Sequence, residues 1–353
     1  MELIQAMARG GHEQLVAIQH KQTGLRAWIA VHHTQRGPAY GGIRVWSYRN
    51  ESEAALDALR LAQTMTYKCV LAGIPGGGAK TVVLEDHILD RRAAVHELGR
   101  RIQAMNGIYR SGPDAGFDEN DLRHLSETTE YAAAFHPGRL RPAAEATSEG
   151  AASGIVAALR HLDCPDLKGI RIAIQGLGAV GSSLARRLIE QGAEVIGADP
   201  RAAACEKASR LGVRLVDPSE ILRMDADVLA PCALGGILHE LSIQRLQCRI
   251  VAGVANNILA SSSLAGILHE RGVLFIPDFV LNAGALIEGA GLELTGRTDL
   301  SHKVRGIGDT VAKLLVTADE TGQTTLGAAI FMGEEVLQKE ARSREQKMTP
   351  TQA

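Results

Sequence analysis

The stretch IRIAIQGLGAVGSSLARRLIEQGAEVIGAD (170–199) decides the fold of this chain. It opens with an isoleucine-rich apolar run, typical of a buried strand. The spacing G-x-G-x-x-G follows at Gly176, Gly178 and Gly181, then a helical pattern and a second apolar run that ends on Asp199. Strand, glycine turn, helix and strand in this order predict the first βαβ unit of a doubly wound, dinucleotide-binding α/β domain.

Each glycine of the turn has its own physical reason. The first permits a tight turn, the second lets a pyrophosphate approach the backbone, and the third lets helix and strand pack closely. The N–H groups at the helix N-terminus attract the phosphates. Asp199 is placed to bind the ribose hydroxyls and to repel a 2′-phosphate, which favours NAD, although Arg201 could soften that preference. The predicted dinucleotide contacts are Gly176, Leu177, Gly178, Ala179, Val180, Gly181, Asp199 and Arg201. The alternative is a turn whose glycines serve packing alone.

The alternation of strand and helix patterns continues after this unit. Four more strand candidates follow, at 213–216, 226–233, 248–256 and 273–280. Ligands of such sheets collect beyond the C-terminal strand ends. Three segments rich in small or polar residues fall there: PCALGG (231–236), ANN (255–257) and LNAGA (281–285). We therefore expect one doubly wound domain over about 144–323.

Length and composition limit the remaining possibilities. The chain has 353 residues, of which 45% are hydrophobic, enough for two domains with real cores. The net charge of −2 favours neither a nucleic-acid partner nor an anionic membrane. Five scattered cysteines, and an N-terminus without a signal-peptide pattern, predict reduced thiols in a cytoplasm. The twelve histidines form no HExxH, so we expect no metal site.

A second glycine run, GIPGGGAKT (73–81), precedes Lys80 and resembles a phosphate-binding loop. It fails as one because Ala79 separates Gly78 from the lysine, and because the preceding residues 51–68 form a helical pattern. Small neighbours allow a lysine to sit in a dry site, where desolvation lowers its pKa and makes it a base. The glycines are interpreted as clearing space for a substrate. The alternative is that Lys80, with Lys68 and Asp114, is a solvated surface charge.

Seven segments, taken in order, carry a family resemblance. They are GPAYGGIR (37–44), MTYKCVLAGIPGGGAK (65–80), GPDAGF (112–117), QGLGAVG (175–181), PCALGG (231–236), VAGVANN (251–257) and PDFVLNAGA (277–285). Their order and spacing resemble the Glu/Leu/Phe/Val amino-acid dehydrogenases, in the branch of the leucine and phenylalanine enzymes. The resemblance implies NAD as cofactor, a homo-oligomer, and two α/β domains with a cleft between them. The substrate domain would span 1–143, with a return at about 324–345, and the Rossmann domain 144–323.

The resemblance also implies roles for individual residues. Lys80 resembles the lysine that activates water, and Asp114 the aspartate that shuttles protons to and from the substrate nitrogen. Lys68 resembles the lysine that pairs with the substrate carboxylate, helped by Gly41 and Asn282. Further cofactor contacts would come from Cys232, Ala233, Asn257 and Thr147.

The implied reaction is oxidative deamination of an L-amino acid to a 2-oxo acid and ammonia. Tyr40 stands where glutamate-specific relatives carry a lysine, so a nonpolar, branched-chain or aromatic substrate is expected. A predicted helix over 301–316 would line the same pocket with Val304 and Ile307, and Gly308 would leave room there.

Other functions stay open. Ala-Gly-Phe after Asp114, and Glu288 after the LNAGA segment, depart from the family pattern. They allow a cofactor-binding protein that has lost turnover, or a dehydrogenase for an unusual amino acid in a specialised pathway. A Rossmann dehydrogenase acting on hydroxy acids or aldehydes is a further alternative, but it would not need the N-terminal lysines.

Overall fold

A computed structural model describes residues 3–132, 140–233 and 235–348 of the chain. The protein divides into two compact units, Met1–Pro137 and Gly138–Ala353. The division lies a few residues before the boundary predicted at 143/144. Among the described residues, no helix has the length and apolar character needed to cross a bilayer.

The first unit is built on a five-stranded mixed sheet in the order β1-β2-β4-β3-β5. β1 and β2 form an antiparallel pair and β2 is antiparallel to β4, whereas β3 runs parallel to both β4 and β5. The strands are β1 (Gln14–His20), β2 (Leu25–Val31), β3 (Ala39–Trp46), β4 (Gly77–Leu84) and β5 (Tyr109–Pro113). The helices are α1 (Leu3–Gly10), α2 (Glu51–Leu71), α3 (Arg91–Ala104) and α4 (Glu119–Ser126), with a 3-10 turn at Glu85–His87.

Helix α2 is the long helix predicted from the pattern over 51–68. Asn50 caps it by accepting a hydrogen bond from the Glu53 N–H at 2.8 Å, while the Glu53 carboxylate accepts from the N–H of Arg49 at 3.0 Å. Its buried alanines pack on the apolar side chains of β2 and β4, including Val82. α3 and α4 supply Leu98 and Leu125 to the core on the first unit's other sheet face.

The second unit is built on six parallel strands in the order β11-β10-β9-β6-β7-β8. Counted along the chain this is the doubly wound order 3-2-1-4-5-6, read from the opposite edge, and the predicted Rossmann class is confirmed. The strands are β6 (Arg171–Gln175), β7 (Glu194–Ala198), β8 (Arg214–Leu215), β9 (Val228–Pro231), β10 (Ile250–Ala252) and β11 (Leu274–Ile276). The strand order reverses between the neighbouring parallel strands β6 and β9. Dinucleotides bind at this switch point in such folds.

Ten helices of the second unit are described: α5 (Ala143–His161), α6 (Ala179–Glu190), α7 (Ala202–Arg210), α8 (Glu240–Ile243), α9 (Leu264–Glu270), α10 (Asp278–Leu281), α11 (Gly284–Thr295), α12 (Ser301–Arg305), α13 (Ile307–Thr321) and α14 (Thr325–Met348), with a 3-10 turn at Ile221–Arg223.

Two observed boundaries differ from the sequence expectations. The helix predicted over 301–316 is divided into α12 and α13 at Gly306, because glycine stabilises a helix less than any residue except proline. The C-terminal helix α14 packs on α13 and β11 inside the second unit. The segment 324–345 is thus grouped with the second unit, whereas its predicted return to the substrate domain stays a prediction.

Candidate active site

Lys80 and Asp114 form a buried ion pair in the first unit. The Lys80 Nζ donates to Asp114 Oδ2 at 2.7 Å, and the two side chains are only 6% and 8% exposed. Lys80 lies in β4 and Asp114 directly follows β5, so β3 runs between them. Gly42 of β3 permits the contact, because a Cβ there would lie 2.8 Å from Asp114 Cβ and 3.3 Å from Lys80 Nζ. The two predicted catalytic residues are thus brought together, and the alternative of solvated surface charges is wrong for both.

Arg44 is a third member of this cluster, and sequence reasoning missed it. Its Nε donates to Asp114 Oδ2 at 2.9 Å, and its guanidinium also donates to Asp57 of α2 at 3.1 Å. Asp57 in turn accepts from the Tyr48 hydroxyl at 2.7 Å. The signal for Arg44 depends on strand β3, because residues two apart on a strand share a face and Arg44 follows Gly42 by two.

The environment changes the pKa of both partners. Burial lowers the pKa of Lys80, the positive charge of Arg44 lowers it further, and the Asp114 carboxylate opposes both effects without cancelling them. Burial alone would raise the pKa of Asp114, but Lys80 and Arg44 outweigh it and hold that pKa at about 2. Asp114 therefore stays ionised, and Lys80 releases its proton more readily than an exposed lysine.

Tyr40 and Lys68 belong to the same part of the first unit. Tyr40 pairs with Gly78 in the register of β3 and β4, so it shares a sheet face with Lys80. Its side chain is buried, and its ring lies against Gly76. Lys68 is half-buried in the last turn of α2, the helix that packs on β4. The substrate roles of Tyr40 and Lys68 stay predictions.

The glycines around Lys80 pack closely on neighbouring groups, and the interpretation that they clear space for a substrate stays a prediction. A Cβ on Gly77 would overlap the His33 carbonyl, and one on Gly78 would overlap the backbone of α2. Gly41, a predicted substrate contact, lies inside β3, where a Cβ would overlap the Ala79 carbonyl. Its own carbonyl accepts from the Tyr109 hydroxyl at 3.3 Å. The phosphate-loop alternative fails, since residues 77–84 form a strand.

The glycine turn of the second unit has the geometry that a pyrophosphate requires. Gly176 adopts φ +94°, and a Cβ there would overlap Ala233. Gly181 packs on the Gly176 carbonyl, where a side chain would overlap it. A Cβ on Gly178 would meet only the Arg201 guanidinium, at 3.4 Å, among the described atoms. Gly178 is the N-cap of α6, whose first turn has no described side-chain cap, so the N–H groups of Ala179 and Val180 are available to a phosphate.

Asp199 is held by groups of its own unit. Its Oδ2 accepts from the Leu177 N–H and from the Arg201 guanidinium, both at 2.9 Å. Its Oδ1 accepts from the N–H and Nε of Arg201, again both at 2.9 Å. The bonds from Arg201 hold the Asp199 pKa well below its usual range. These four bonds occupy about all the acceptor sites of a carboxylate, so a ribose hydroxyl must displace Arg201, whose side chain is 66% exposed.

Cys232 and Asn257, two of the other predicted cofactor contacts, lie beyond the C-terminal ends of neighbouring strands. Cys232 follows β9 and donates its N–H to the Gln175 carbonyl at 2.7 Å. Asn257 follows β10 with φ +56°, and its carbonyl accepts from the Gly236 N–H at 2.7 Å. Thr147 lies in α5 against Gly284. Leu234 of the PCALGG segment lies outside the described residues.

Asn282 follows α10 and is 8% exposed. Its Nδ2 donates to the Val254 carbonyl at 3.2 Å and to Asn256 Oδ1 at 2.9 Å. Its Oδ1 is buried and has no hydrogen-bond partner among the described residues. Such an atom is costly to leave unpaired, so a donor on a bound ligand would stabilise it.

Two further predicted pocket residues are committed to packing. Val304 is fully buried, and Ile307 is 3% exposed and packs on Gly150 of α5. Their assignment to a substrate pocket stays a prediction. Glu288, which departs from the family pattern, is buried and accepts from Arg141 Nε at 2.7 Å. An internal ion pair therefore accounts for this acid.

Comparison with known proteins agrees with this geometry. Residues 12–131 match the family model "Glu/Leu/Phe/Val dehydrogenase, dimerisation domain", and residues 201–305 match "Glutamate/Leucine/Phenylalanine/Valine dehydrogenase". Residues 139–234 match "D-isomer specific 2-hydroxyacid dehydrogenase, NAD binding domain".

Full-length relatives extend the match. Leucine dehydrogenase of Bacillus subtilis (strain 168) is 38% identical over 98% of this chain and 97% of its own length. L-tryptophan dehydrogenase of Nostoc punctiforme is 36% identical over 98% of both chains. The crystal structure of that tryptophan enzyme superimposes with a TM-score of 0.82, covering 97% of this chain and 100% of the other.

These findings confirm the predicted α/β class and NAD as the cofactor. The match to the hydroxy-acid model is confined to the NAD-binding segment, whereas the lysine-bearing first unit matches the amino-acid dehydrogenases. Its sequence, its fold and the buried lysine–aspartate pair agree: the chain belongs to the Glu/Leu/Phe/Val dehydrogenase family.

Proposed function

We propose that this protein catalyses the reversible oxidative deamination of a nonpolar L-amino acid, branched-chain or aromatic, to the 2-oxo acid and ammonia. It is an NAD-dependent oxidoreductase that acts on CH–NH2 groups. The observation that carries the proposal is the Lys80–Asp114 pair, buried with Arg44 in the first unit of a chain whose second unit is a Rossmann domain.

NAD fits the turn of the second unit, because the exposed Arg201 side chain is the one described group close to Gly178 and the first N–H groups of α6 have no described side-chain cap. When bound, NAD⁺ accepts the hydride from the α-carbon of the amino acid. Ala179 and Val180 would hold its pyrophosphate through their backbone N–H groups. Asp199 would hold its ribose, and Leu177, whose N–H donates to Asp199, would position that carboxylate.

The side chains of the first unit handle the protons. Neutral Lys80 takes a proton from water, which then attacks the imino carbon of the oxidised substrate. Asp114 is ionised at rest; it accepts a proton from the substrate ammonium during the reaction and returns one to the nitrogen that leaves as ammonia. Arg44 positions Asp114 and keeps it ionised.

Substrate orientation is assigned to a second set of groups. The ammonium of Lys68 pairs with the substrate carboxylate, helped by the backbone of Gly41. Fixing the carboxylate aligns the α-carbon for hydride transfer, and such positioning accounts for a large share of catalysis. The buried acceptor Oδ1 of Asn282 suits a donor on a ligand.

The substrate side chain is proposed to be nonpolar. Tyr40, on the Lys80 face of the sheet, contributes an aromatic ring where a γ-carboxylate would need a cation. The names of the full-length relatives, which include leucine, tryptophan and phenylalanine dehydrogenases, support this choice. The residues that follow Asp114 differ from the family pattern. They leave open a variant of this proposal, in which the substrate is an unusual amino acid of a specialised pathway.

A homo-oligomer and a cytoplasmic location complete the proposal. The family model that matches the first unit is described as a dimerisation domain, which supports self-association through that unit. All five cysteines are free thiols, in keeping with a reducing compartment.

The test follows NADH absorbance with NAD⁺ and a panel of L-amino acids: Leu, Val, Ile, Phe, Trp, Glu and Ala. Turnover of one nonpolar group, with glutamate inactive, is expected. If no amino acid of the panel is oxidised while NADH binding is detected separately by fluorescence, the alternative of a cofactor-binding protein without turnover would be favoured. Turnover of 2-hydroxy acids instead would overturn the proposal.

A further inference from the structure

A cluster of three metal-ligating side chains lies on the first unit, away from the residues assigned to catalysis. His96 belongs to α3, His124 to the last turn of α4, and Glu127 caps the C-terminus of α4. Glu127 and His96 are 31 residues apart in the sequence, so no short motif announces the cluster. We propose that these three residues bind a divalent transition-metal ion of the zinc type.

The ligand atoms converge on one point. His96 Nε2 lies 2.9 Å from Glu127 Oε2, and His124 Nδ1 lies 3.1 Å from Glu127 Oε1. All three ligand atoms lie within 4.8 Å of one another, with the two rings nearly perpendicular at 89°. Tetrahedral zinc, with bonds of about 2.0–2.2 Å, places its ligand atoms about 3.3 Å apart. The two histidine–carboxylate distances are close to that separation, and the two nitrogens lie no farther than 4.8 Å apart.

The chemistry of the donors selects the ion. Two imidazoles with one carboxylate suit Zn²⁺, Co²⁺ or Ni²⁺, whereas Ca²⁺ and Mg²⁺ prefer ligand sets made of oxygen. Three protein ligands leave a fourth position for water. Both imidazole nitrogens already face the same carboxylate, and an ion replaces the protons that now make these contacts.

The scaffold beneath the cluster is rigid while the ligands are reachable. Leu98 of α3 and Leu125 of α4 are buried in the same core, which fixes the two helices relative to each other. The side chains of His96, His124 and Glu127 are 23%, 26% and 43% exposed. Arg92 is the competing cation: its NH2 lies 3.3 Å from Glu127 Oε2, but its side chain is 63% exposed and can turn away.

The consequence for the protein is structural. α4 begins at Glu119, shortly after Asp114. An ion that joins α3 to α4 would therefore restrict the movement of the residues between Asp114 and α4. The ion does not take part in the hydride or proton steps.

The experiment titrates Zn²⁺ into the full-length, EDTA-treated protein by calorimetry, and Co²⁺ with detection of its visible absorption. Wild type is expected to bind one equivalent at this cluster, with a Co²⁺ spectrum of tetrahedral type and a raised melting temperature. The double variant His96→Ala/His124→Ala should lose that equivalent, the spectrum and the stabilisation together. His87→Ala, at an exposed histidine outside the cluster, is the matched control and should retain all three.

Two results would overturn the inference. One is wild-type protein that takes up no more metal than the double variant. The other is a double variant that still binds the same equivalent, which places the ion elsewhere. Equal melting temperatures of all proteins in EDTA, and equal amino-acid turnover, check that the substitutions themselves leave the fold intact.

Discussion

At the scale of single residues, Lys80 is the group on which the proposed chemistry depends. Lys80→Ala should lower the rate of oxidation by about 10²–10⁴-fold, the contribution of a positioned base. NADH binding should persist because its contacts lie in the other unit, and Asp114 keeps Arg44 as a partner. Steady-state turnover assays with separate NADH titration check this. Lys21→Ala, at an exposed lysine, is the control, and undiminished turnover in Lys80→Ala would remove this lysine from the mechanism.

Arg44 acts through its charge on the same pair. It lowers the pKa of Lys80, so Arg44→Met should raise that pKa and move the rising limb of the kcat/KM profile to higher pH. A purely structural role would reduce the rate without moving the limb. Arg26→Met provides the control, since Arg26 forms an exposed ion pair with Glu51. A profile unchanged in position would contradict the assignment.

Asp199 is expected to select NAD against NADP. Asp199→Ala removes a charged acceptor of the ribose, and such bonds are worth about 1.5–3 kcal/mol, or roughly 10–100-fold in affinity. The same change releases the Arg201 guanidinium from its bonds to the carboxylate. The measurement is KM for both cofactors, and the preference for NAD should narrow. If the ratio stays constant, another residue reads the ribose.

At the scale of elements, the contact of β4 with α2 rests on Gly78. A Cβ there would overlap the backbone of Ala62 and Thr66, so Gly78→Ala should destabilise the protein by about 1–3 kcal/mol or more. Urea unfolding measures this. Gly289→Ala is the matched control, because no described atom lies within 4 Å of the position that the new methyl group would take, and alanine favours helices. A Gly78→Ala protein of normal stability that lost activity would instead support the substrate-space interpretation.

At the scale of the whole molecule, the buried side chain of His32 should make the folded protein less stable as the pH falls. Its ring lies 2.8 Å from both Thr66 Oγ1 and the Gly10 carbonyl, joining β2 to α2 and α1. Burial, aided by the charge of His12, lowers its pKa from 6.5 to about 4. Between these two pH values the unfolded chain binds a proton on His32 more readily than the folded chain. The contribution of neutral His32 to the free energy of unfolding is therefore fully present above pH 6.5 and is lost as the pH falls towards 4.

The expected loss is up to about 3 kcal/mol, from 1.36 kcal/mol per pKa unit. Urea unfolding across this pH range measures it, with His32→Gln compared at each pH. The free energy of unfolding of His32→Gln should fall less steeply with decreasing pH than that of wild type, while His87→Gln should follow wild type. Parallel declines in all three proteins would assign the acid sensitivity to other groups.

Local patterns predicted much of this molecule. The Rossmann turn, α2 and the strands of the second unit were predicted because their residues carry strong periodicity or obligatory glycines. Strand β3 was not predicted, since its glycines at Gly41 and Gly42 resemble a turn. The continuous helix expected over 301–316 was wrong for the same kind of reason, because the effect of one glycine depends on its surroundings.

The order and spacing of short segments were enough to predict the family, the cofactor class, and Lys80, Asp114 and Asp199 as site residues. Which groups contact these residues depends on the folded structure. Arg44 is 70 residues from Asp114 in the chain, and Lys80 is 34 residues from it. Such contacts follow from strand order and from the close approach that Gly42 allows, and no local pattern encodes them. Arg201 is near Asp199 in sequence, but its occupation of the carboxylate's acceptor sites depends on side-chain geometry.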